Sequence, residues 1–221
     1  MHKSLLIILL LLAVNFHAIA QQEYEVNIED REEAISLTEK GLRKIEAGNY
    51  PGAITDLEKA ISVDATFHPA YINLYKAYNQ VDRDRSKLLN IIKSGTEIFE
   101  EDDELTYYLG YIYYQRGQFP EAIREFTRAI GYSKINGEEF HLVYGYHFNR
   151  GNAYLKTKEF EKAIKDYTYA LKLSPGNPDI LTNRGIAHYQ LKNKTEACRD
   201  WKKSIEEGGM TAQKYTREFC R

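Results

Sequence analysis

A spaced pattern that recurs with a period near 34 residues constrains the fold of this chain more than any other feature. It begins at Gly41, Gly110, Gly151 and Gly185. After Gly41, offsets of 7, 9, 12, 16 and 19 residues hold Gly48, Tyr50, Ala53, Leu57 and Ala60; after Gly110 they hold Gly117, Phe119, Ala122, Phe126 and Ala129; after Gly151 they hold Lys158, Phe160, Ala163, Tyr167 and Ala170. Such repetition predicts a stack of similar units.

Each unit has the pattern of two amphipathic helices. Apolar residues recur at steps of three and four, and a polar turn such as residues 156–159 interrupts them. If the first glycine of the pattern is numbered as position 8 of the unit, small residues stand at positions 8, 20 and 27. They allow the helix backbones to approach closely, while aromatic residues fill the space towards the next unit. Pro175 and Pro178 separate consecutive units, because proline cannot continue a helix interior but suits a first turn.

These spacings resemble the tetratricopeptide repeat family, whose 34-residue unit has Gly, Tyr, Ala, an aromatic residue, Ala and Pro at these positions. Residues 151–175 match best. The resemblance implies an all-α fold, a right-handed α-solenoid of about five helix pairs with a C-terminal capping helix. It is specific for the fold and much less so for the function.

We assign five units and their flanking segments from this pattern. The units are residues 34–67, 68–102, 103–136, 144–177 and 178–209, with an insertion at 137–143, a capping helix at 210–221 and an acidic lead-in segment or extra helix at 21–33. The unit at 68–102 is degenerate, because Tyr75, Lys87 and Ser94 stand where Gly, Ala and Ala are expected. We retain it because the spacing requires a helix pair there.

Residues 1–20 have the pattern of a cleavable secretory signal. His2 and Lys3 precede an apolar run over residues 5–14, and Ala18 and Ala20 occupy the positions that a signal peptidase reads. The run is about half as long as the roughly 20 residues that a membrane-spanning helix needs. We expect cleavage after Ala20 and an exported chain without stable membrane insertion, in the periplasm or, as the alternative, outside the cell.

The charge distribution argues against a nucleic-acid partner. The net charge is -2, so a basic surface is not a general property of the chain. Charge is nevertheless uneven, since residues 21–67 hold 5 basic and 11 acidic side chains and residues 144–221 hold 15 and 9. This gradient suits either the steering of an acidic partner or solubility, and both interpretations stay open.

The two cysteines lie close to the C-terminal end. Cys198 is in the second helix of the last unit and Cys220 is near the end of the capping segment. In an exported protein this favours a disulfide that stabilises the cap by roughly 3 kcal/mol. Two independent, partly buried thiols are the alternative.

Motifs for catalysis or metal binding are absent from the sequence. One Glu-x-x-His step at residues 138–141 has no second copy, and the remaining histidines are scattered over several units. There is no Gly-x-Ser-x-Gly elbow, phosphate loop or His-Glu-x-x-His motif. We therefore predict a protein that is not an enzyme and has no cofactor and no metal.

The resemblance implies that the first helix of each unit lines a concave surface. The candidate partner-binding residues there are Tyr107, Tyr111, Tyr114, Phe148, Asn152, Leu155, Asn183, Ile186 and Tyr189. Tyr107, Tyr111 and Tyr114 share one helical face, and we expect that face not to pack into the core. Clustered aromatic residues with polar tips suit a peptide or a partner helix, unless the cap, the insertion or a neighbouring helix covers them.

Two further features bear on the partner. Asn152 and Asn183 stand where family members that hold a peptide backbone often have asparagine, although asparagine is also common in the repeat. The basic clamp of relatives that bind chaperone tails is not reproduced, since the fifth position holds Thr38, Ile72, Tyr107, Phe148 and Thr182. We therefore reject a carboxylate-clamp cochaperone.

The leading hypothesis is a protein–protein interaction module of the cell envelope that binds a peptide or protein segment in its concave groove. A self-assembling scaffold, in which the basic end of one molecule docks the acidic end of another, is the first alternative. A small-molecule binder or enzyme subunit that uses the same groove is the second. The signal, residues 197–203 and Cys220 resemble exported tetratricopeptide proteins of Bacteroidetes-like bacteria.

Overall fold

The computed structural model describes residues 27–81, 85–137 and 142–220. The predicted signal, residues 21–26 and the Glu-x-x-His step at 138–141 lie outside the described residues. Within the described residues the chain forms eleven α-helices and no strand. The predicted all-helical solenoid is confirmed.

The first ten helices form five pairs, and each pair is joined by a short connection. The pairs are α1 (Ile28–Glu46) with α2 (Tyr50–Val63), α3 (His68–Tyr78) with α4 (Ser86–Ile98), α5 (Asp103–Gln115) with α6 (Phe119–Asn136), α7 (Val143–Lys156) with α8 (Phe160–Leu173), and α9 (Pro178–Gln190) with α10 (Lys194–Glu206). The last helix, α11 (Thr211–Phe219), packs against α10 as the predicted cap.

Two segment boundaries differ from the sequence-based assignment. Helix α1 begins at Ile28, so residues 28–33 belong to the first helix and not to a separate lead-in segment. Its start is set by Asn27, whose side-chain oxygen accepts a hydrogen bond from the Glu29 amide. Helix α7 begins at Val143, the last residue of the assigned insertion, because this side chain is buried beside Tyr146.

The first of the five recurring offsets corresponds to a left-handed residue in the turn between paired helices. Gly48 and Gly117 have φ values of 73° and 74°, and Lys158 and Lys192, at the same offset, have 64° and 65°. Glycine adopts this conformation without steric cost, whereas a residue with a Cβ does not. The turn therefore accounts for glycine at this offset in two of the four repeats.

Close packing of the paired helices depends on the glycine that begins the pattern. A Cβ at Gly151 would lie 2.8 Å from the Tyr167 ring, and one at Gly185 would lie 2.5 Å from the Trp201 ring. Both rings are fully buried. The small residue and the large residue sixteen positions later therefore form one packing unit.

The degenerate unit departs from this arrangement. Tyr75 occupies the glycine position of α3, and its buried ring stacks on Tyr108 of α5 with centroids 3.8 Å apart. Helices α3 and α4 contact each other less extensively than the helices of the other pairs. This looser pairing accompanies the loss of the small residue at the position of Tyr75.

The first helices form the inner layer of the solenoid. Consecutive first helices contact one another directly, in the order α1, α3, α5, α7 and α9. In the part of the chain that the structure describes, no two second helices pack as closely. A stack that is tighter on one side curves towards that side, so the first helices line the concave surface.

Candidate functional site

A row of hydrogen-bonded side chains follows the concave surface across three units. The Nδ2 group of Asn149 donates to the Tyr107 hydroxyl at 2.9 Å, and Nδ2 of Asn152 donates to Oδ1 of Asn149 at 3.4 Å. Nδ2 of Asn183 donates to Oδ1 of Asn152 at 2.9 Å. We call these four residues the asparagine row. They connect α5, α7 and α9.

The end of the row at Asn183 has unused hydrogen-bonding capacity. Oδ1 of Asn152 is saturated, because it also accepts a bond from the Tyr167 hydroxyl at 2.8 Å. Asn183 is half-buried, and among the described residues its Oδ1 and its second N–H have no partner. A carboxamide with one free acceptor and one free donor matches the N–H and C=O of an extended peptide backbone.

Tyr107 lies deeper than the sequence analysis expected. Its ring centroid is 4.7 Å from that of Tyr146 and 5.8 Å from that of Phe126, and it packs against two core clusters. Burial is the main cause that raises the pKa of the Tyr107 hydroxyl, so this group stays protonated. The expectation that this ring avoids the core fails because α7 of the next unit packs directly against α5.

Tyr111 and Tyr114 are the aromatic residues of α5 that border the groove. Their rings are 6.3 Å apart with an interplanar angle of 25°, and Tyr114 also meets Phe119 edge-on at 5.5 Å. Both side chains are half-buried, and Tyr111 packs against the core along one side. Burial is the main cause that raises the pKa of Tyr114. The pair thus presents a partly exposed aromatic surface.

The remaining candidates do not form one continuous patch. Phe148 and Leu155 are half-buried around the core cluster that contains Tyr167. Ile186 and Tyr189 instead pack against the cluster under the capping helix, where the Tyr189 ring lies 4.4 Å from Phe219 of α11. The capping helix therefore contacts part of the predicted surface.

Asn149 is the member of the row that the sequence analysis missed. It is buried, and it connects Tyr107 to the two asparagines that the family resemblance singled out. Its position three residues before Asn152 places both amides on one side of α7. This spacing is the signal by which Asn149 is recognisable in the sequence.

The fifth positions of the repeats do not offer a cationic clamp. Thr38, Ile72 and Thr182 are buried, and Tyr107 and Phe148 are half-buried. The Thr182 hydroxyl is already paired with that of Ser204 at 2.8 Å. These positions therefore have neither the charge nor the exposure needed to hold a carboxylate.

Cys198 and Cys220 are joined by a disulfide, with Cα atoms 5.7 Å apart. The bond connects α10 to the residue that follows α11. Beside it Trp201 is fully buried, stacks on Tyr215 at 5.2 Å and donates its indole N–H to the Thr182 carbonyl at 3.1 Å. The disulfide and the Trp201 contacts together attach the cap to the last unit.

The described residues contain no group of three or more metal-ligating side chains that converge on one point. Two of the histidines have carboxylate partners, His68 with Asp102 at 2.6 Å and His147 with Asp166 at 3.2 Å. Among the same residues, no helix combines the length and the apolar character needed to cross a membrane.

Residues 151–192 match the family model described as TPR repeat. This segment is therefore similar to a TPR repeat. The match runs from α7 through α8 and α9, and it includes the residues that gave the clearest resemblance in the sequence. Asn152 and Asn183 both lie within the matched TPR segment.

Curated relatives also contain related sequence. Hsp70-Hsp90 organizing protein 2 of Arabidopsis thaliana is 23% identical over 190 residues, which are 85% of this chain and 32% of that protein. Cilia- and flagella-associated protein 70 of Homo sapiens is 36% identical over 88 residues, which are 40% of this chain and 7% of that protein. The chain thus matches about a third or less of the length of these relatives.

Solved structures share the fold over most of their length. The crystal structure of MamA protein has a TM-score of 0.70 and 21% identity, over 82% of this chain and 95% of MamA. YrrB, a TPR protein with an unusual peptide-binding site, has a TM-score of 0.67 and 18% identity, over 86% of this chain and 94% of YrrB. These likenesses establish the TPR-type solenoid fold.

Proposed function

We propose that this chain is a non-enzymatic interaction module that binds an extended peptide segment in its concave groove. The observation that carries the proposal is the free donor and acceptor of Asn183 at the end of the asparagine row. The TPR match supports it, since TPR proteins mediate protein–protein interactions, and a peptide-binding site is described for YrrB.

The geometry of the row suggests how the peptide is held. Asn183 pairs with the C=O and N–H of one backbone segment, and the remaining N–H of Asn152 donates to a neighbouring carbonyl. Tyr111 and Tyr114 pack against a peptide side chain, because their rings offer apolar area and their hydroxyls a polar edge. Backbone contacts provide affinity for many sequences, and the aromatic pair provides selectivity.

A selected peptide tests this proposal. Peptides are chosen from a random library on the purified chain, and the affinity of one synthetic peptide is measured by fluorescence anisotropy. Asn183→Ala and Tyr111→Ala should each weaken binding about tenfold or more, which corresponds to about 1.4 kcal/mol. Tyr132→Ala, on the outer helix α6, is the matched tyrosine control and should leave the affinity unchanged. Equal affinities for all four proteins reject the groove as the binding site.

We also propose that the protein acts in the cell envelope of a bacterium. The signal pattern in residues 1–20 supports export, and the Cys198–Cys220 disulfide is typical of an oxidising compartment. N-terminal sequencing of the protein from fractionated cells should find Gln21 as the first residue in the envelope fraction. A cytosolic chain that retains Met1 contradicts this location.

Head-to-tail self-assembly is a second candidate function, favoured by an exposed apolar stripe on α1. Ile28, Ile35 and Leu42 follow one another at seven-residue steps and are 75%, 39% and 37% exposed. The acidic N-terminal and basic C-terminal ends favour docking of unlike ends. Sedimentation velocity should then show particles that grow with protein concentration and dissociate in high salt; a monomer under all conditions excludes assembly.

A further inference from the structure

A cavity of about 690 Å³ opens on the outer side of the solenoid, between α6, α7 and α8. Lys134, Arg150, Lys165 and Lys172 contribute cationic groups to its lining, and Ile130 and Tyr169 contribute apolar surface. The cavity is flanked by second helices, so it is separate from the concave groove.

The one carboxylate among the described lining residues is already neutralised. Asp166 accepts two hydrogen bonds from Arg150, both at 2.7 Å, and it contacts Nδ1 of His147 at 3.2 Å. Burial acts to raise the pKa of Asp166, but the bonds from Arg150 and His147 outweigh it and hold the pKa below its ordinary value. Asp166 is therefore an anion whose charge is balanced by Arg150.

The lysines around the cavity are not balanced in this way. Lys134, Lys165 and Lys172 are exposed, and none of them forms an ion pair with a residue that the structure describes. Arg150 uses three N–H groups, two on Asp166 and one on the Thr127 hydroxyl at 3.1 Å, and has two more. The described residues of the lining thus carry an excess of positive charge.

His147 adds a buried polar atom without a partner. The side chain is 8% exposed, and its Nε2 has no hydrogen bond within the described part of the chain. The imidazole lies against the Tyr169 ring with centroids 4.1 Å apart. This nitrogen therefore has capacity for one further hydrogen bond, to a ligand or to water.

The following unit shows which of these features belong to the repeat itself. Arg184 binds Asp200 through two bonds of 2.8 and 2.7 Å and reaches the Thr168 hydroxyl at 3.2 Å. Arg150 makes the same contacts one unit earlier, with Asp166 and the Thr127 hydroxyl. The arginine–aspartate–threonine contact is therefore a packing element that recurs along the outer layer.

The cavity's other groups recur only in part, since Arg199 stands 34 residues after Lys165. Thirty-four residues after His147 the chain has Leu181, and at the same distance after Lys172 it has Glu206. The unit at 178–209 thus has an apolar residue and an acid where the cavity has a histidine and a lysine. Packing alone accounts for the shared contact but not for these differences.

We propose that the cavity between α6, α7 and α8 binds a small organic phosphate. Its phosphoryl oxygens interact with Lys165, Lys172 and the free N–H groups of Arg150, while its organic part packs on Ile130 and Tyr169. Several cations around one space favour a group with two negative charges over a single carboxylate. The binding is independent of peptide capture, because it uses the opposite surface.

Isothermal titration calorimetry at fixed, low ionic strength tests this with phenyl phosphate, inorganic phosphate and phenylacetate. Phenyl phosphate should bind more tightly than the other two, because only it combines two charges with an apolar group. The double variant Lys165→Ala/Lys172→Ala should weaken its binding tenfold or more. The control Lys93→Ala/Lys202→Ala removes the same charge from exposed positions on the second helices α4 and α10, and should have no such effect.

Each contrary result has a definite meaning. Equal weakening by both double variants shows general attraction to a basic surface and overturns the site. Equal affinity for phenyl phosphate and inorganic phosphate overturns the role of the apolar wall and with it the organic ligand. The absence of phenyl phosphate binding rejects the proposal outright. Because all four lysines are exposed, neither double variant is expected to unfold the protein.

Discussion

The Tyr167 ring lies against the backbone of Gly151 so closely that a methyl group on Gly151 would stand 2.8 Å from Cε1. The ring cannot retreat, since it is fully buried and its hydroxyl is bonded to Asn152. Gly151→Ala should therefore lower the free energy of unfolding by about 1–3 kcal/mol, as measured by urea denaturation.

Gly131 provides the matched control for this substitution. It also lies within a helix, but nothing stands within 4 Å of the place that its Cβ would occupy. Gly131→Ala should stabilise the protein by about 0.5–1 kcal/mol, because alanine loses less backbone entropy in a helix. If both substitutions changed the free energy of unfolding in the same direction, close packing would not distinguish the two glycines.

The asparagine row should contribute to stability as well as to binding. Asn152→Ala removes the acceptor of the buried Tyr167 hydroxyl and should cost about 1–3 kcal/mol. In the Tyr167→Phe background the same substitution should cost less, because no hydroxyl is left without a partner. A double-mutant cycle in urea measures the difference; additive effects would mean that this bond contributes nothing.

The turn at Lys158 should be improved by glycine. Lys158 has a φ of 64°, and the equivalent Gly48 and Gly117 have nearly the same conformation. Relief of the left-handed strain outweighs the greater entropy loss of glycine, so Lys158→Gly should raise the free energy of unfolding by about 0.5–1 kcal/mol. Lys156→Gly, in the last turn of α7, should instead destabilise the protein. Thermal unfolding of both variants shows whether the first is stabilised and the second destabilised.

The disulfide should stabilise the folded structure of the C-terminal end. Cys198→Ser/Cys220→Ser should lower stability by about 3 kcal/mol in the chain-entropy model. Trp201 is the one tryptophan of the chain and lies in the cluster under α11, so its fluorescence reports on this end alone. During unfolding of the variant, we expect the Trp201 emission to change before the helical circular dichroism is lost. Coincident transitions would contradict a local role for the bond.

Stability should depend on pH through His68 and Asp102, whose charged atoms are 2.6 Å apart. The hydrogen bond to Asp102 is the main cause that raises the pKa of His68 above 6.5. The contribution of His68 is therefore complete below pH 6.5 and is lost as the pH rises through the higher folded-state pKa. Because a third of the His68 side chain is exposed, it amounts to less than about 1 kcal/mol.

The pKa of Asp102 is shifted in the opposite direction. Burial acts to raise it, but the hydrogen bonds from His68 and the Leu105 amide lower it below 3.8. Its contribution is present above pH 3.8 and is lost as the pH falls through the lower folded-state value. Urea denaturation should show the greatest advantage of the wild type over His68→Gln between about pH 4 and 6.5. An advantage that is constant up to pH 9 would contradict this linkage.

The helix pairs were predictable because their determinants are local or repeat within one unit. The glycine that begins the pattern and the large residue sixteen positions later describe a contact between paired helices, as at Gly185 and Trp201. The turn position at Gly48 and Gly117 likewise follows from backbone conformation alone. Periodicity reports both features directly.

Exposure along the groove was less predictable because it depends on contacts between units. Tyr107 and Tyr111 are four residues apart on one helix, yet Tyr107 is packed between Tyr146 and Phe126 while Tyr111 borders the groove. A helical wheel treats them alike, since it has no information about the following helix. The outer cavity was missed for the same reason, because its cations come from three helices.

The bond between Cys198 and Cys220 has a mechanical consequence. Tension applied to the backbone beyond Cys220 enters the fold at Cys198 within α10 as well as through α11, so it cannot peel the final helix away residue by residue. The terminal anchorage therefore yields only when α10 is itself extracted. A tether attached at this end would load the last repeat as a whole.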